Sequence, residues 1–282
     1  MTQQQPDIAV TGATGALGGA VARLLAEAGV PQRLLARHTA RLPELPGTPS
    51  YAITYSDRGH STRALEGVQT LFMVSAAESR YRRQDHRTFV DAAVDAGVRH
   101  IVYTSFMGAA PDAVFTLARD HADTEEYIRA SGVQYTFLRN CLYQDVLPSL
   151  VGRDAVLRGP AGTGRLAAVA RADVARTAAR ILTEPLPHAG AAYTLTGPQA
   201  LTFEEIAEIL TRVTGSHVSY HNETVEEALE SRQVSGVEQW QIEAWVSTYT
   251  AIAEGEMGEV SADVQQLTGT APMGLEEYLM QR

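Results

Sequence analysis

Three glycines at three-residue intervals, Gly12, Gly15 and Gly18, follow the apolar run Ile8-Ala9-Val10-Thr11. They lead into a segment with Val21, Leu24, Leu25 and Ala28 on one helical face. A strand that turns into a helix through glycines brings backbone N–H groups and a helix N-terminus to one point, where they bind a pyrophosphate. The spacing differs from G-x-G-x-x-G, and a glycine-rich turn without a ligand is the competing reading. The second strand ends Leu34-Leu35-Ala36-Arg37-His38. An NAD-selective site places Asp or Glu about 20 residues past the glycines; here no acid stands there, and Arg37 does. A guanidinium matches a 2′-phosphate by charge and planar donors, so the pattern predicts NADP(H) over NAD(H). A solvent-facing arginine at a strand end is the alternative. Asp57, after the third strand, suits either an adenine amino group or a simple turn. Val74 and Ser75 end the fourth strand, where the backbone can pass beneath a ribose.

An absence narrows the chemistry further. The chain of 282 residues contains no lysine: all 23 of its Lys+Arg residues are arginine. A Tyr-x-x-x-Lys pair and lysine Schiff-base chemistry are therefore both excluded. The net charge of −10 argues against a nucleic-acid or anionic-membrane surface. Cys141 is the single cysteine, so there is no internal disulfide and no cysteine-built metal site. The histidines lack metal-ligand spacing, and no metal is expected. Met1–Asp7 is polar and unlike a signal peptide. No apolar run is long enough to span a bilayer. These features predict a cytoplasmic protein without membrane insertion; its oligomeric state is not encoded legibly.

The elements that position these residues alternate. The pattern predicts strands at 7–11, 33–37, 51–55, 70–75, 100–105 and 135–139. Helices are predicted at 16–29, 61–66, 83–97 and 119–131, the third with Phe89, Val90, Ala93 and Val94 on its apolar face. Such alternation implies right-handed crossovers and an α/β, Rossmann-type doubly wound parallel sheet. The texture changes after Leu150. Residues 1–152 are expected to form the NADP-binding domain. Residues 153–282 are expected partly to complete the sheet, over about 171–197, and partly to form a smaller, mainly helical substrate subdomain. Within this half, 159–164 is a loop that can be a connector or a ligand loop. Asp173 is placed to cap a helix running to about Thr183. Ala192–Leu195 is strand-like, Thr202 and Glu205 form a capping box, and 217–221 is a short strand. Residues 224–282 are mostly helical. Trp240, in that stretch, suits the core or a ligand contact.

Several motifs together carry a family resemblance: Thr-Gly-Ala-Thr-Gly-Ala-Leu-Gly at 11–18, Tyr-Thr-Ser-Phe at 103–106, Tyr-Thr-Phe-Leu-Arg-Asn at 135–140 and Arg-Ala-Asp-Val-Ala at 171–175. The first has the T-G-x-x-G-x-x-G form of extended and atypical short-chain dehydrogenases. Along nearly its whole length the chain resembles the NmrA-like members of that group, the bacterial NADPH:quinone oxidoreductases and triphenylmethane reductases above all. Leu138–Tyr143, a Leu-Arg-Asn-x-x-Tyr pattern, is the group-specific part. The resemblance implies that Gly12, Ala13, Thr14, Gly15, Ala16 and Leu17 wrap the pyrophosphate and that Arg37 meets the 2′-phosphate. It places Ser75 and Ala76 beside the adenosine ribose. It makes Leu138, Arg139, Asn140 and Tyr143 floor and wall around the nicotinamide, with Arg171 closing onto the cofactor. His121 stands where many relatives have lysine, and Leu117 lies one helical turn before it.

Quinone reduction fits a site without that acid pair. Hydride delivered to a ketone leaves an alkoxide that needs a proton donor. Delivered to a quinone, it leaves a phenolate whose conjugate acid has a pKa of about 10, as tyrosine does. Positioning of the rings then dominates. Phe106, Tyr143 and Trp240 are candidate cleft walls, and Tyr143, His121 and Asn140 are the candidate catalytic groups. His121 can instead pair with Glu125 at the surface. Cys141 can be a packing residue or a redox group. The expected activity is NADPH-dependent reduction of a quinone or similarly conjugated acceptor. The alternative is an NADP(H)-binding regulator without turnover.

Overall fold

A computed structural model describes residues 6–233 and 236–281. Met1–Gln5, within the polar stretch noted above, lie outside the described residues. Buried apolar strands alternate with helices along the first part of the chain: β1 (Ile8–Thr11), α1 (Ala16–Glu27), β2 (Gln32–Ala36), β3 (Ser50–Ala52), α2 (Arg58–Leu65), β4 (Thr70–Met73), α3 (Arg82–Asp95), β5 (His100–Phe106), α4 (Thr116–Ala130) and β6 (Gln134–Asn140). Then follow β7 (Val156–Arg158), α5 (Arg171–Thr183), β8 (Ala191–Leu195), α6 (Phe203–Thr214), β9 (Ser219–His221), α7 (Val225–Ser231), α8 (Gln239–Ala253), α9 (Asp263–Thr268) and α10 (Leu275–Met280). One seven-stranded sheet has the order β3-β2-β1-β4-β5-β6-β8. β1 pairs in parallel with β2 and β4, β2 with β3, and β4 with β5. This is the doubly wound order, in which ligands bind at the carboxyl ends of the strands where the winding reverses. β1 and β4 flank that point.

The contacts divide the chain into two units interleaved in sequence. One takes the chain through Ser105, then Ala122–Arg139 and Ala172–Tyr193; the other takes Phe106–His121, Asn140–Arg171 and the chain from Thr194 onward. The texture change near 152 therefore falls inside the second unit.

The first unit is built on Leu35, Leu71, Met73, Phe89, Ile101 and Phe137, all fully buried. Arg33 is buried within β2, where its guanidinium donates to the carbonyls of Ala64 and Glu66 at the end of α2, the end at which a helix dipole favours a cation. α2 begins at Arg58, earlier than expected, because Asp57 Oδ1 accepts from the His60 N–H at 2.9 Å and caps it. Asp57 is thus the N-cap of α2. On α3 the expected face shifts: Val94 is 40% exposed, whereas Arg82 and His86 are buried with Phe89, Val90 and Ala93.

The second unit is centred on Phe115, Leu147, Phe203, Leu210, Tyr249 and Ile252, with β7 and β9 paired in parallel. Both ends of the Thr202–Glu205 capping box are made. The loop at 159–164 is a packed connector: a Cβ on Gly159 would lie 2.2 Å from the Tyr249 ring, and one on Gly164 2.1 Å from the Ile252 carbonyl oxygen. Trp240 is half-buried. Cys141 is a core residue, and burial raises its thiol to about 12, so it stays protonated and unreactive at neutral pH. Among the described residues, no helix is long and apolar enough to cross a membrane. The same residues contain no His/Cys/Asp/Glu cluster able to hold a metal ion.

Candidate active site and cofactor cleft

The glycines of the first turn divide their work. Gly12 has φ +62°, a conformation natural to glycine, and carries the chain off β1. The Gly15 N–H donates to the Gly12 carbonyl at 2.8 Å, closing the turn. Gly15 is the residue before α1, in an extended conformation that any residue can adopt. Gly18 is a packing glycine: a Cβ there would lie 2.4 Å from the Gly12 carbonyl oxygen and 2.6 Å from that of Thr11. It brings the first turn of α1 against the end of β1. Gly12, Thr14 and Gly15, at the N-terminus of α1, line one space.

That space is a cavity of about 540 Å³ at the carboxyl edge of the sheet. Its lining includes Gly12, Thr14, Gly15, Arg37, Ser75 and Ala76, six residues expected to meet the cofactor. Ala13 and Leu17 are buried, and with Ala16 they are not part of the lining. Arg37 is exposed just after β2 and has no ion-pair partner among the described residues. A backbone anion cradle, a free guanidinium and a cavity of this size fit the adenosine 2′-phosphate and pyrophosphate portions of NADP(H).

The far wall of the cavity is held by groups the sequence did not reveal. Three successive N–H groups at the end of β4 are each taken by a side chain from a different element. Val74 N donates to Thr11 Oγ1, Ser75 N to Thr104 Oγ1 and Ala76 N to His86 Nε2, all at 2.8 Å. Tyr55 Oη donates to the Val74 carbonyl at 2.6 Å, and Arg82 Nε to that of Ala76 at 3.0 Å. Because His86 Nε2 accepts, its proton sits on Nδ1, 2.8 Å from Thr124 Oγ1. Burial lowers the His86 pKa to about 3, so the ring stays neutral and keeps this acceptor. His86 is a positioning residue for the Ser75–Ala76 wall.

A second buried anchor lies where β5 and β6 end. Glu125 on α4 is 1% exposed. It accepts from Ser105 Oγ at 2.6 Å, from Arg139 Nε and Nη2 at 2.9 and 2.6 Å, and from Arg129 Nη2 at 3.0 Å. The Arg139 side chain is thus committed to Glu125, leaving its backbone as what β6 offers at that position. His121 is 6% exposed, so it is a buried residue and not a surface one. His121 instead lies beside Phe106, ring centroids 6.1 Å apart, and Phe106 packs on Phe115 at 4.8 Å.

Asn140, Tyr143 and Arg171 come together in the second unit. Asn140 is buried, and its Nδ2 donates to Tyr143 Oη at 3.3 Å. Asn140 Oδ1 is buried without a partner among the described residues. The Arg171 guanidinium stacks 4.7 Å over the Tyr143 ring and lies 3.4 Å from Asp145. Asp145 also accepts from the Arg171 N–H at 3.1 Å, so it caps α5. Asp173, expected to be the cap, lies inside the first turn, buried and paired with Arg176 at 3.0 Å. A cap donated from 26 residues earlier in the chain leaves no local sequence signal. Burial raises the Tyr143 phenol to about 12, against a smaller lowering by Arg171. The phenol therefore keeps its proton at neutral pH. Leu138, in β6, is fully buried.

Residues 4–279 match the NmrA-like family. The chain belongs to the NmrA-like family. Quinone oxidoreductase 2 of Escherichia coli strain K12 is 37% identical over 222 residues, covering 76% of this NmrA-like chain and 77% of that protein. The crystal structure of an NADPH-dependent quinone oxidoreductase from E. coli complexed with NADPH superposes with a TM-score of 0.88 and 31% identity, over 97% of this chain and 99% of that one. The Citrobacter sp. triphenylmethane reductase complexed with NADP(H) gives 0.87 and 33%, with the same coverage. The family assignment agrees with the motifs at 11–18, 103–106, 135–140 and 171–175.

Proposed function

We propose that this NmrA-like protein is an NADPH-dependent oxidoreductase that reduces a quinone or a similarly conjugated acceptor in the cytoplasm. The observation that carries this reading is the cavity that gathers the glycine turn, Arg37 and the clamped Ser75–Ala76 wall. The relatives named above, an NADPH-bound quinone oxidoreductase among them, support it. Gly12, Thr14 and Gly15 hold the pyrophosphate and Arg37 the 2′-phosphate. Leu138–Tyr143 and Arg171 supply the contacts on the nicotinamide side. Bound NADPH supplies the hydride equivalent; with one proton, the quinone becomes a quinol and NADP+ remains.

The proton needs no tuned donor. This chain has no lysine, and Leu117 and His121 occupy the positions of the acid pair in the resemblance. Burial raises the Tyr143 phenol to about 12, so it stays protonated at neutral pH and is not tuned as an acid. That phenol lends a hydrogen bond, and water delivers the proton. A simple ketone, whose alkoxide is far more basic, gains too little from such a site.

Arg37→Ala is expected to weaken NADPH binding by about tenfold, the effect of one charge-assisted contact partly screened by solvent. NADH binding should be unchanged. Titration of the variant with both cofactors checks this, and an equal loss for the two removes Arg37 from the 2′-phosphate role. The function itself is tested by NADPH oxidation against a panel of quinones, with NADH as control. Turnover with quinones supports the enzyme; tight NADPH binding without turnover favours the regulator.

A further inference from the structure

Two carboxylates, Glu78 and Asp85, line the cavity of the first unit beside Arg37; Glu78 is exposed, and Asp85 is the one set into the wall. Asp85, in the first turn of α3, is half-buried and lines this cavity. Its carboxylate has no hydrogen-bond or ion-pair partner among the described residues. Arg37 lines the same cavity, yet the two opposite charges do not pair. Burial alone, with no neighbouring charge, moves the Asp85 carboxyl above its usual range. A partly buried, unpaired carboxylate on a cavity wall is an acceptor left open to a ligand donor.

The adjacent wall narrows what that donor is. The N–H groups of Val74, Ser75 and Ala76 are all consumed internally. Asp85 thus adds an acceptor to a stretch of wall whose backbone donors are already spent. Such a surface suits a ligand edge that donates and rejects one that accepts. A phosphate is excluded by charge. A ribose 3′-hydroxyl next to a 2′-phosphate would place Asp85 within reach of the arginine on that phosphate, and the two do not pair. The remaining donor on the adenosine portion is the exocyclic amine of the base.

We infer that Asp85 reads the adenine amino group of the cofactor and selects the base, as Arg37 selects the 2′-phosphate. The inference rests on the proposed binding of NADPH in this cavity. It adds a specificity residue that the glycine motif does not predict.

The test compares equilibrium binding of NADPH with that of its deaminated analogue, which carries hypoxanthine and so presents a carbonyl oxygen in place of the amine. Wild-type protein, Asp85→Asn and Asp85→Ala are titrated with both, and circular dichroism verifies the fold of each. Wild-type protein is expected to favour NADPH by about tenfold or more. In Asp85→Asn, whose amide can turn its NH₂ toward a carbonyl, the ratio should fall to near one; Asp85→Ala should also lose the preference. Three proteins that bind NADPH with the same ratio overturn the assignment. So does a loss of affinity shared equally by the two nucleotides, which would put Asp85 on the ribose. If the wild-type protein binds neither nucleotide, the cofactor reading itself fails, and Asp85 with it.

Discussion

Gly15→Val is expected to lower NADPH affinity by at least about a hundredfold, or about 2.7 kcal/mol, while the protein stays folded. Position 15 has φ −90° and ψ 169°, which valine adopts freely. A Cβ there meets one atom, the Gly12 carbonyl oxygen at 3.2 Å, so the backbone tolerates it with a small adjustment. Gly15 also lines the cavity. The branched side chain thus occupies the space in which the pyrophosphate meets the turn. Gly18→Val makes the informative contrast. Its Cβ would collide with backbone at 2.4–2.6 Å, so the strand–helix packing itself must open and stability falls along with binding. Circular dichroism and equilibrium titration of the two variants separate the roles. NADPH affinity in Gly15→Val equal to wild type would place the phosphates elsewhere.

Glu125→Ala is expected to destabilise the protein by about 3 kcal/mol, the lower end of the range for removing one partner of a buried ion pair. The lower end applies because the side chains of Arg139 and Arg129 are 30% and 37% exposed and regain some hydration. Ser105 also loses its acceptor. For a chain of this size, such a loss lowers the melting temperature by about 6–12 °C. Glu125→Gln keeps an acceptor for Ser105 and should lose less. Denaturant unfolding of both variants checks this, and a change under about 1 kcal/mol for the alanine variant would show that the cluster is not a structural anchor.

How much of this was legible in the sequence depends on the range of each interaction. β1, α1 and the glycine turn were legible because strand, glycines and helix are contiguous and each constrains the next. Arg37 was legible from its place at the end of β2. The capping box at Thr202 was legible because both partners lie within four residues. The anchors of the cavity wall were not. Thr11, Thr104 and His86 come from three elements and meet only when β1, β4 and β5 lie side by side. His86 occupies the buried face of α3 at helical spacing from Phe89 and Val90, but periodicity counts apolar residues and passes over a histidine whose two nitrogens are both satisfied. The same limit put Val94 on the wrong face and read Glu125 only as a neighbour of His121. The cap of α5 by Asp145 and the free carboxylate of Asp85 depend on the folded chain.

The most direct test of the account is single-turnover NADPH oxidation at saturating quinone by the wild-type protein, Tyr143→Phe and His121→Ala. A positioned general acid contributes about 10²–10⁴-fold. If orientation of the rings carries the rate and water supplies the proton, each variant should stay within about tenfold of wild type. The wild-type profile should also show no ionisation of Tyr143 near neutral pH, since that phenol loses its proton only around 12. A loss of three orders of magnitude in either variant, with NADPH affinity intact, would make that residue the proton donor and contradict the account.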